Sequence, residues 1–425
     1  MKPIRHMLSA SCVLAATLGA PAARAAVDAI APPAANAPLQ LEWDARLRHE
    51  QVDDDAFSRD AAATTLRLRL GLRASFGEGW SALLEGAGVA AANEHYNSGA
   101  NGRTQYPAIT DPRGSELDQA WLAWQGDVFG ATLGRQRLLL DNQRWVGNSG
   151  WRQHEQTFDA LALQWQPLDS VTVRYDWLGR VHRVAGRDAL NPLARERALD
   201  THLLNAAWVR GAQQWVGYAY LHEDRDVASA SSATWGARWS GKARHDGNGA
   251  GWTLEAARQR DYANNPLHFA HNYWLLEPTW TQGGITAKLG WEHLGGNGQH
   301  ALQTPLATLH AFNGWDDQFN VTPAGGLEDR YVGAAGKFGR SGLAGKLAWV
   351  VAYHDYRADR GGRYGSEWNA SLSLPLIAGL DAMLKLADYR ADGLGRDNAR
   401  VWLQLEWRGR QALAGARLAS LARLR

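Results

Sequence analysis

The sequence predicts an all-β fold, a transmembrane antiparallel β-barrel of about 18 strands, with about 16 as the alternative count. Three observations predict it. Segments that alternate apolar and polar residues recur along the chain, the connections between them alternate short and long, and 21 Trp and 45 Gly stand against 3 Met and 1 Cys. Tryptophan collects where an apolar wall meets water, as at the two rims of a membrane barrel. No stretch beyond the N-terminal leader approaches the roughly 18 consecutive apolar residues of a membrane helix.

Residues 1–25, MKPIRHMLSASCVLAATLGAPAARA, have a short basic end, an apolar middle and an Ala-Arg-Ala close. They read as a secretory signal peptide cut after Ala25. Ser9, not Leu, stands three places before Cys12, so the lipoprotein reading fails and the lone cysteine leaves with the leader. Disulfides, thiolate metal sites and a cysteine nucleophile are thereby excluded. Loss of Lys2, Arg5 and Arg24 takes the formal charge from +2 to −1, which offers no basic excess for nucleic acid. Residues 26–37 form a Pro/Ala-rich periplasmic linker, residues 38–408 the barrel, and residues 409–425 a basic tail with leucines at amphipathic spacing.

Alternation starts at once. Leu39, Leu41, Trp43, Ala45 and Leu47 share one face of an extended segment, with Gln40, Glu42, Asp44, Arg46 and Arg48 on the other. In TLRLRLGLR, Leu66, Leu68, Leu70 and Leu72 oppose Arg67, Arg69 and Arg73. A helix would scatter both sets; a strand separates leucine from guanidinium completely. VTVRYDW, TWGARW, DAMLKLAD and RVWLQLEW repeat the pattern further on. Short connections are expected at 77–79, 125–128, 166–170, 211–213, 281–284, 339–342 and 375–379, and long ones at 51–60, 91–114, 141–156, 181–199 and 295–326. The connection 243–249 strains the rule, being long where a short turn is due. Short inner turns and long outer loops are the mark of a bacterial outer-membrane barrel, and a soluble sandwich has no reason to alternate them.

Two stretches resemble a known family. LGRQRLLLDNQRWVGNSGWRQHEQTFDAL, residues 133–161, and LHAFNGWDDQFNVTPAGGLEDRYV, residues 309–332, are similar to signature segments of the alginate export family of outer-membrane proteins. The resemblance implies an 18-stranded barrel that passes an anionic polysaccharide through an arginine-lined lumen. One departure is the end of the chain: such barrels close on an aromatic residue that the barrel-assembly machinery reads, whereas this sequence runs past Trp407 into the basic tail.

Strand parity places Arg46, Arg48, Arg67, Arg69, Arg73, Arg174 and Arg238 on the inward row, with Lys288, Lys346, Lys385, Arg400 and Arg408. The same row holds Glu42, Asp44, Asp176, Glu255, Glu277, Glu292, Asp381 and Glu406, so the lumen is mixed. A polyanion path would rest on the first two strands together with Arg144, Arg152 and Arg135, the last taken from the resemblance and not from the alternation. Guanidinium suits carboxylate because its planar fork donates two parallel hydrogen bonds. The competing reading is that these charges pair across strands and keep the interior wet. The longest connection, 295–326, carries Phe312, Trp315, Asp316 and Asp317 and is expected to fold inward as a constriction. No His-Glu-x-x-His or Gly-x-Ser-x-Gly pattern supports an enzyme, and the acidic runs 53–55 and 316–317 lack ligand spacing, so neither metal nor cofactor is expected. The expectation is a single-copy channel in outer-membrane lipid for anionic oligo- or polysaccharide. The alternatives are an uptake porin for sugars or acids and, more remotely, a barrel enzyme.

Overall fold

The computed structural model describes residues 39–245 and 248–413. The signal peptide, the linker and most of the tail lie outside the described residues. The strands are β1 (Leu39–Asp54), β2 (Ala61–Gly77), β3 (Trp80–Ala91), β4 (Gly114–Gln125), β5 (Phe129–Gln136) and β6 (Thr157–Leu168). There follow β7 (Val171–His182), β8 (Glu196–Arg210), β9 (Gln213–Asp224), β10 (Ser232–His245), β11 (Asn248–Asp261) and β12 (Ala270–Gln282). The last are β13 (Ile285–Leu294), β14 (Leu327–Lys337), β15 (Ala348–Arg357), β16 (Arg363–Ile377), β17 (Leu380–Ala391) and β18 (Asn398–Ala412). Each pairs antiparallel with its chain neighbours, and β1 pairs with β18 from Gln40↔Ala412 to Asp54↔Asn398, so the 18-stranded sheet closes on itself. Closure leaves no unpaired edge, which is what a sheet surrounded by hydrocarbon requires.

The leucine and arginine rows separate as the sequence implies. Leu66, Leu68, Leu70 and Leu72 are 43–49% exposed on the outer wall, while Arg67 is 0% and Arg69 6% exposed inside. Exposed tryptophans ring the short-turn end, among them Trp80, Trp165, Trp208, Trp280 and Trp407, and Trp177, Trp235 and Trp291 stand toward the other end. Between these girdles the apolar band meets lipid. Large rings also cover strand glycines: Gly290 lies under Tyr331 and Gly409 under Trp43, each directly across the ladder.

Three details depart from the expected boundaries. Residues 243–245 and 248–249 continue the ladder, with Ala243↔Ala250, Arg244↔Gly249 and His245↔Asn248 in register. The expected tight turn at 339–342 is a ten-residue connection, 338–347, containing a short helix α1 (Gly342–Lys346), so Lys346 is not on a strand. β18 runs to Ala412, four residues into the segment assigned to the tail.

The interior is not hollow. Two of the long connections, loop A (137–156) and loop B (295–326), enter it, and Leu138, Leu140, Trp145, Val146, Leu302 and Leu306 pack there against Phe158, Tyr218, Tyr273 and Tyr356 of the wall.

Candidate functional site: a loop-filled lumen

Loops carried into a barrel must find partners for their backbone groups, and these two find them in each other. Val146 and Leu306 form a parallel bridge, with the Gly147 amide donating to Leu306 O at 2.9 Å and the Thr308 amide to Gln143 O at 3.1 Å. Gln156 Nε2 donates to Leu306 O at 2.9 Å, and the Ser149 amide to Thr308 Oγ1 at 3.1 Å. Asn313 and Asp317 take positive φ of 55° and 64°, flanking Gly314 at 85°, which turns the tip of loop B through the tight bend its position needs.

Every inward arginine of β1 and β2 is engaged. Arg46 donates to Glu406 at 2.7 and 2.9 Å and to the backbone carbonyls of Gly150 and Trp151 at 3.1 and 3.0 Å, so one guanidinium ties β1 to β18 and to loop A. Arg48 donates to Gln404, lies 3.5 Å from Asp111 and stacks over Trp151 at 4.1 Å. Arg67 pairs with Asp44 at 2.6 Å and Glu406 at 3.3 Å. Arg69 stands among four carboxylates, Asp118 at 2.7 Å, Asp44 at 3.5 Å, Glu155 at 3.6 Å and Glu85 at 3.7 Å. Arg137 from loop A joins the same acids, 2.5 Å from both Glu85 and Glu155. Arg73, lower on β2, is half-buried and pairs with Glu42 at 2.7 Å. The arginine wall of the first strands is therefore a paired cluster sealed by loop A, not a row of cations facing open water.

Loop B is held from several sides. Arg144 pairs with Glu292 at 2.8 Å, donates to Asn313 and lies over Phe312 at 4.8 Å. Arg152 pairs with Asp317 at 2.6 Å and Arg400 with Asp316 at 3.0 Å, while the amides of Trp315 and Asp316 donate to one oxygen of Glu367. Lys385 on β17 places its ammonium 4.0 Å from the rings of both Trp151 and Trp315 and 2.7 Å from His310 Nε2. Since Nε2 accepts from the ammonium, Nδ1 carries the ring proton and donates to Asp317 at 2.9 Å. Burial, and next the Lys385 charge, push the His310 imidazole down to about 3. Against burial, His310 and Arg152 hold the Asp317 carboxyl below the usual carboxylate range. One lysine and one histidine thus clasp both loops to the wall.

Of the remaining residues singled out, Arg174 pairs within its own strand with Asp176 at 2.9 Å, and Arg238 pairs with Glu255 and donates to Asn142 of loop A at 2.5 Å. Arg135 is a correction. Its neighbours Thr132 and Gln136 are buried inward, Leu133 is exposed to lipid, and Arg135 follows Leu133 to the outer face, where it meets Asp159 at 2.8 Å. The alternation of β5 is unbroken, and the resemblance, not parity, had placed this side chain inside. Sequence reasoning missed Glu50, Asp111, Glu155 and Glu367, each a buried partner of an arginine or of loop B. Parity continued from Arg46 and Arg48 points to Glu50; the two loop acids carry no such signal.

On the side of β10 to β15, beneath loop B, a cavity of about 540 Å³ remains. Arg238, Lys242, Arg244, Lys288, Glu277 and Tyr331 are among its lining side chains. Lys288 and Tyr331 both engage Glu277, at 2.9 and 2.5 Å. Lys242 and Arg244, inward on β10 near the short-turn end, have no ion pair among the described residues.

Comparison with known proteins follows this geometry. The family described as alginate export matches residues 37–291. No curated protein matches the chain. Among solved structures, Pseudomonas aeruginosa OccK1 (OpdK) superposes with a TM-score of 0.69 at 14% identity, over 88% of this chain and 99% of that one. Acinetobacter baumannii OccAB2 gives 0.70 at 12% identity, over 88% and 98%. The Pseudomonas aeruginosa OpdK structure with vanillate gives 0.67 at 15%, over 88% and 99%. At these identities the likeness is one of fold.

Proposed function

Because this chain belongs to the alginate export family and folds as an outer-membrane porin-type barrel, we propose that it is a selective diffusion channel for small carboxylate-bearing solutes, serving uptake more than polysaccharide passage. The observation that carries this reading is the filled lumen. Loops A and B, cross-linked and clasped by Lys385, leave a compartment of about 540 Å³. That is the size of a small-molecule site, roughly 300–1,000 Å³, and not a conduit for a hydrated polymer. Lys242 and Arg244 give it cations that have no ion pair among the described residues. Weak, shared contacts of this kind hold an anion briefly and release it. A related fold solved with vanillate, an aromatic monocarboxylate, is consistent with such a solute class. The barrel closes within one chain, so we take the working unit as a monomer in outer-membrane lipid, without catalytic chemistry.

Single-channel recording in planar bilayers tests the reading. Expected are anion selectivity and current block by vanillate-sized monocarboxylates, with neutral sugars and long oligouronates ineffective. Polysaccharide passage requires the loops to leave the lumen; oligouronates blocking as well as monocarboxylates would favour it and overturn the proposal. A cation-selective reversal potential would do the same.

A further inference from the structure

At the root of loop B, on the outer side of the wall, one imidazole and two carboxylates converge. His293 shares the row of Leu289 and Trp291, which are exposed outward, and lies across the ladder from Glu328. The opposite row, Glu292 and Asp329, faces the lumen and holds Asn313. Although outward, His293 is only 3% exposed. Its ring stacks on Trp274 with centroids 3.6 Å apart and planes 4° from parallel. The connection between β15 and β16 closes over it, the Asp359 amide donating to Gly325 O at 3.0 Å.

Each carboxylate uses one oxygen elsewhere and turns the other to the imidazole. Glu328 Oε2 pairs with Arg330 at 2.6 Å, and its Oε1 lies 3.9 Å from His293 Nδ1. Asp359 Oδ2 accepts from the Gly296 amide at 3.2 Å, and its Oδ1 lies 3.8 Å from His293 Nε2. Neither distance is a hydrogen bond. The buried Nδ1 has no hydrogen-bond partner among the described residues, a condition that costs free energy if nothing fills the gap. One ligand atom from each of the three residues lies within 4.8 Å of the others. One ion takes only one of the two ring nitrogens, and two donors about 2.1 Å from a tetrahedral ion stand about 3.4 Å apart, so carboxylate shifts of up to about 1.5 Å complete a coordination set.

We propose that His293, Glu328 and Asp359 bind one divalent cation of the Zn²⁺ class. An imidazole with two carboxylates suits zinc and its first-row neighbours, whereas calcium and magnesium ask for oxygen alone. Arg330 and the Gly296 amide orient the ligating carboxylates, and Trp274 fixes the ring. His293 stands just before loop B and Glu328 just after it, so the ion joins the two stems of the loop and ties both to the neighbouring connection through Asp359. This inference concerns the loop's anchoring and stands whether or not the solute reading of the lumen holds.

The test uses tag-free full-length protein in detergent, stripped with chelator and titrated with Zn²⁺ by calorimetry, with the unfolding midpoint followed in parallel. Expected are one Zn²⁺ per chain, a raised midpoint that chelator reverses, and binding weakened at least about tenfold in both His293→Gln and Asp359→Asn. X-ray absorption at the zinc edge should show one imidazole and carboxylate oxygens. Asp359 lies in a surface connection, so its variant separates lost binding from failed folding. Absence of stoichiometric Zn²⁺ binding, or equal affinity in Asp359→Asn, overturns the proposal. So does stabilisation by mild acid without any Zn²⁺ response, because a protonated imidazole bridging the two carboxylates would then account for the cluster.

Discussion

Replacing Arg69 with Met removes the one guanidinium that stands among Asp118, Asp44, Glu155 and Glu85. Arg137 still pairs with Glu85 and Glu155 and Arg67 with Asp44, so Asp118 is the acid that loses its close cation. Breaking a buried pair by deleting one partner typically costs about 3–5 kcal/mol, because the remaining charge stays desolvated. With Asp118 left buried without its 2.7 Å partner and the other three acids keeping a second arginine, the lower part of that range applies. Arg73 on the same strand supplies the control. It is half-buried, has one ion partner, Glu42, among the described residues, and lies 5.1 Å over the Trp121 ring, so Arg73→Met should cost about 1 kcal/mol after solvent screening. Unfolding in detergent, followed by heat-dependent gel mobility, should therefore separate the two variants by about 2 kcal/mol, roughly thirtyfold in the folding equilibrium. Equal loss in the two would refute the view that the arginine cluster of β2 is structural. A folded Arg69→Met channel with reversed ion selectivity would refute it more directly, since the arginine would then be acting on permeant ions.

Further outcomes follow from the clasp and the wall. Lys385→Met removes three cation–π contacts, to Trp151, Trp315 and Trp402, and the donor to His310, each worth about 1–2 kcal/mol when desolvated, and should give a larger and noisier open-channel current. For His310 the folded value, about 3, lies below the free value of 6.5, so the unfolded chain takes the proton first. The stability it contributes is present above pH 6.5 and lost as pH falls toward 3; His310→Gln should flatten that part of a pH–stability curve measured by denaturant midpoint. Gly290→Ala places a methyl group into the Tyr331 ring and should lower the unfolding midpoint by the equivalent of about 1–3 kcal/mol, partly restored by Tyr331→Ala in the same chain.

The wall was legible because its physics is local. Leucine beside lipid and arginine beside a lumen alternate with period two, so Leu66 to Leu72 announced their face without help from the rest of the chain. The recurrence of alternating segments gave the strand count, while the connection lengths misled where a short helix lengthened a turn and where Ala243 and Arg244 continued a ladder. What the strands could not disclose was the filling. Glu155 reaches Arg69 and Arg137, and Asp317 reaches Arg152, only because whole loops turn inward. Such contacts join residues with no periodic relation to one another. Parity also left the partners of each arginine undecided: it put Arg46 and Glu406 on one interior surface but could not say that 360 residues of chain would bring them together.

That last contact bears on how the molecule is made. The seam between β1 and β18 carries Arg46 with Glu406, Arg48 with Gln404 and Glu50 with Arg400. The first strand to be synthesised thus presents two cations and an acid whose partners arrive with the last. Until then the sheet is an open ribbon whose margin has only part of its partners, Asp111 for Arg48 and Arg152 for Glu50, while the carboxylate that pairs with Arg46 is still to come. The matched charges give closure a register check: a slip of one residue turns every one of these side chains toward lipid. The same three pairs make a matched seam depend on the intact C-terminal strand.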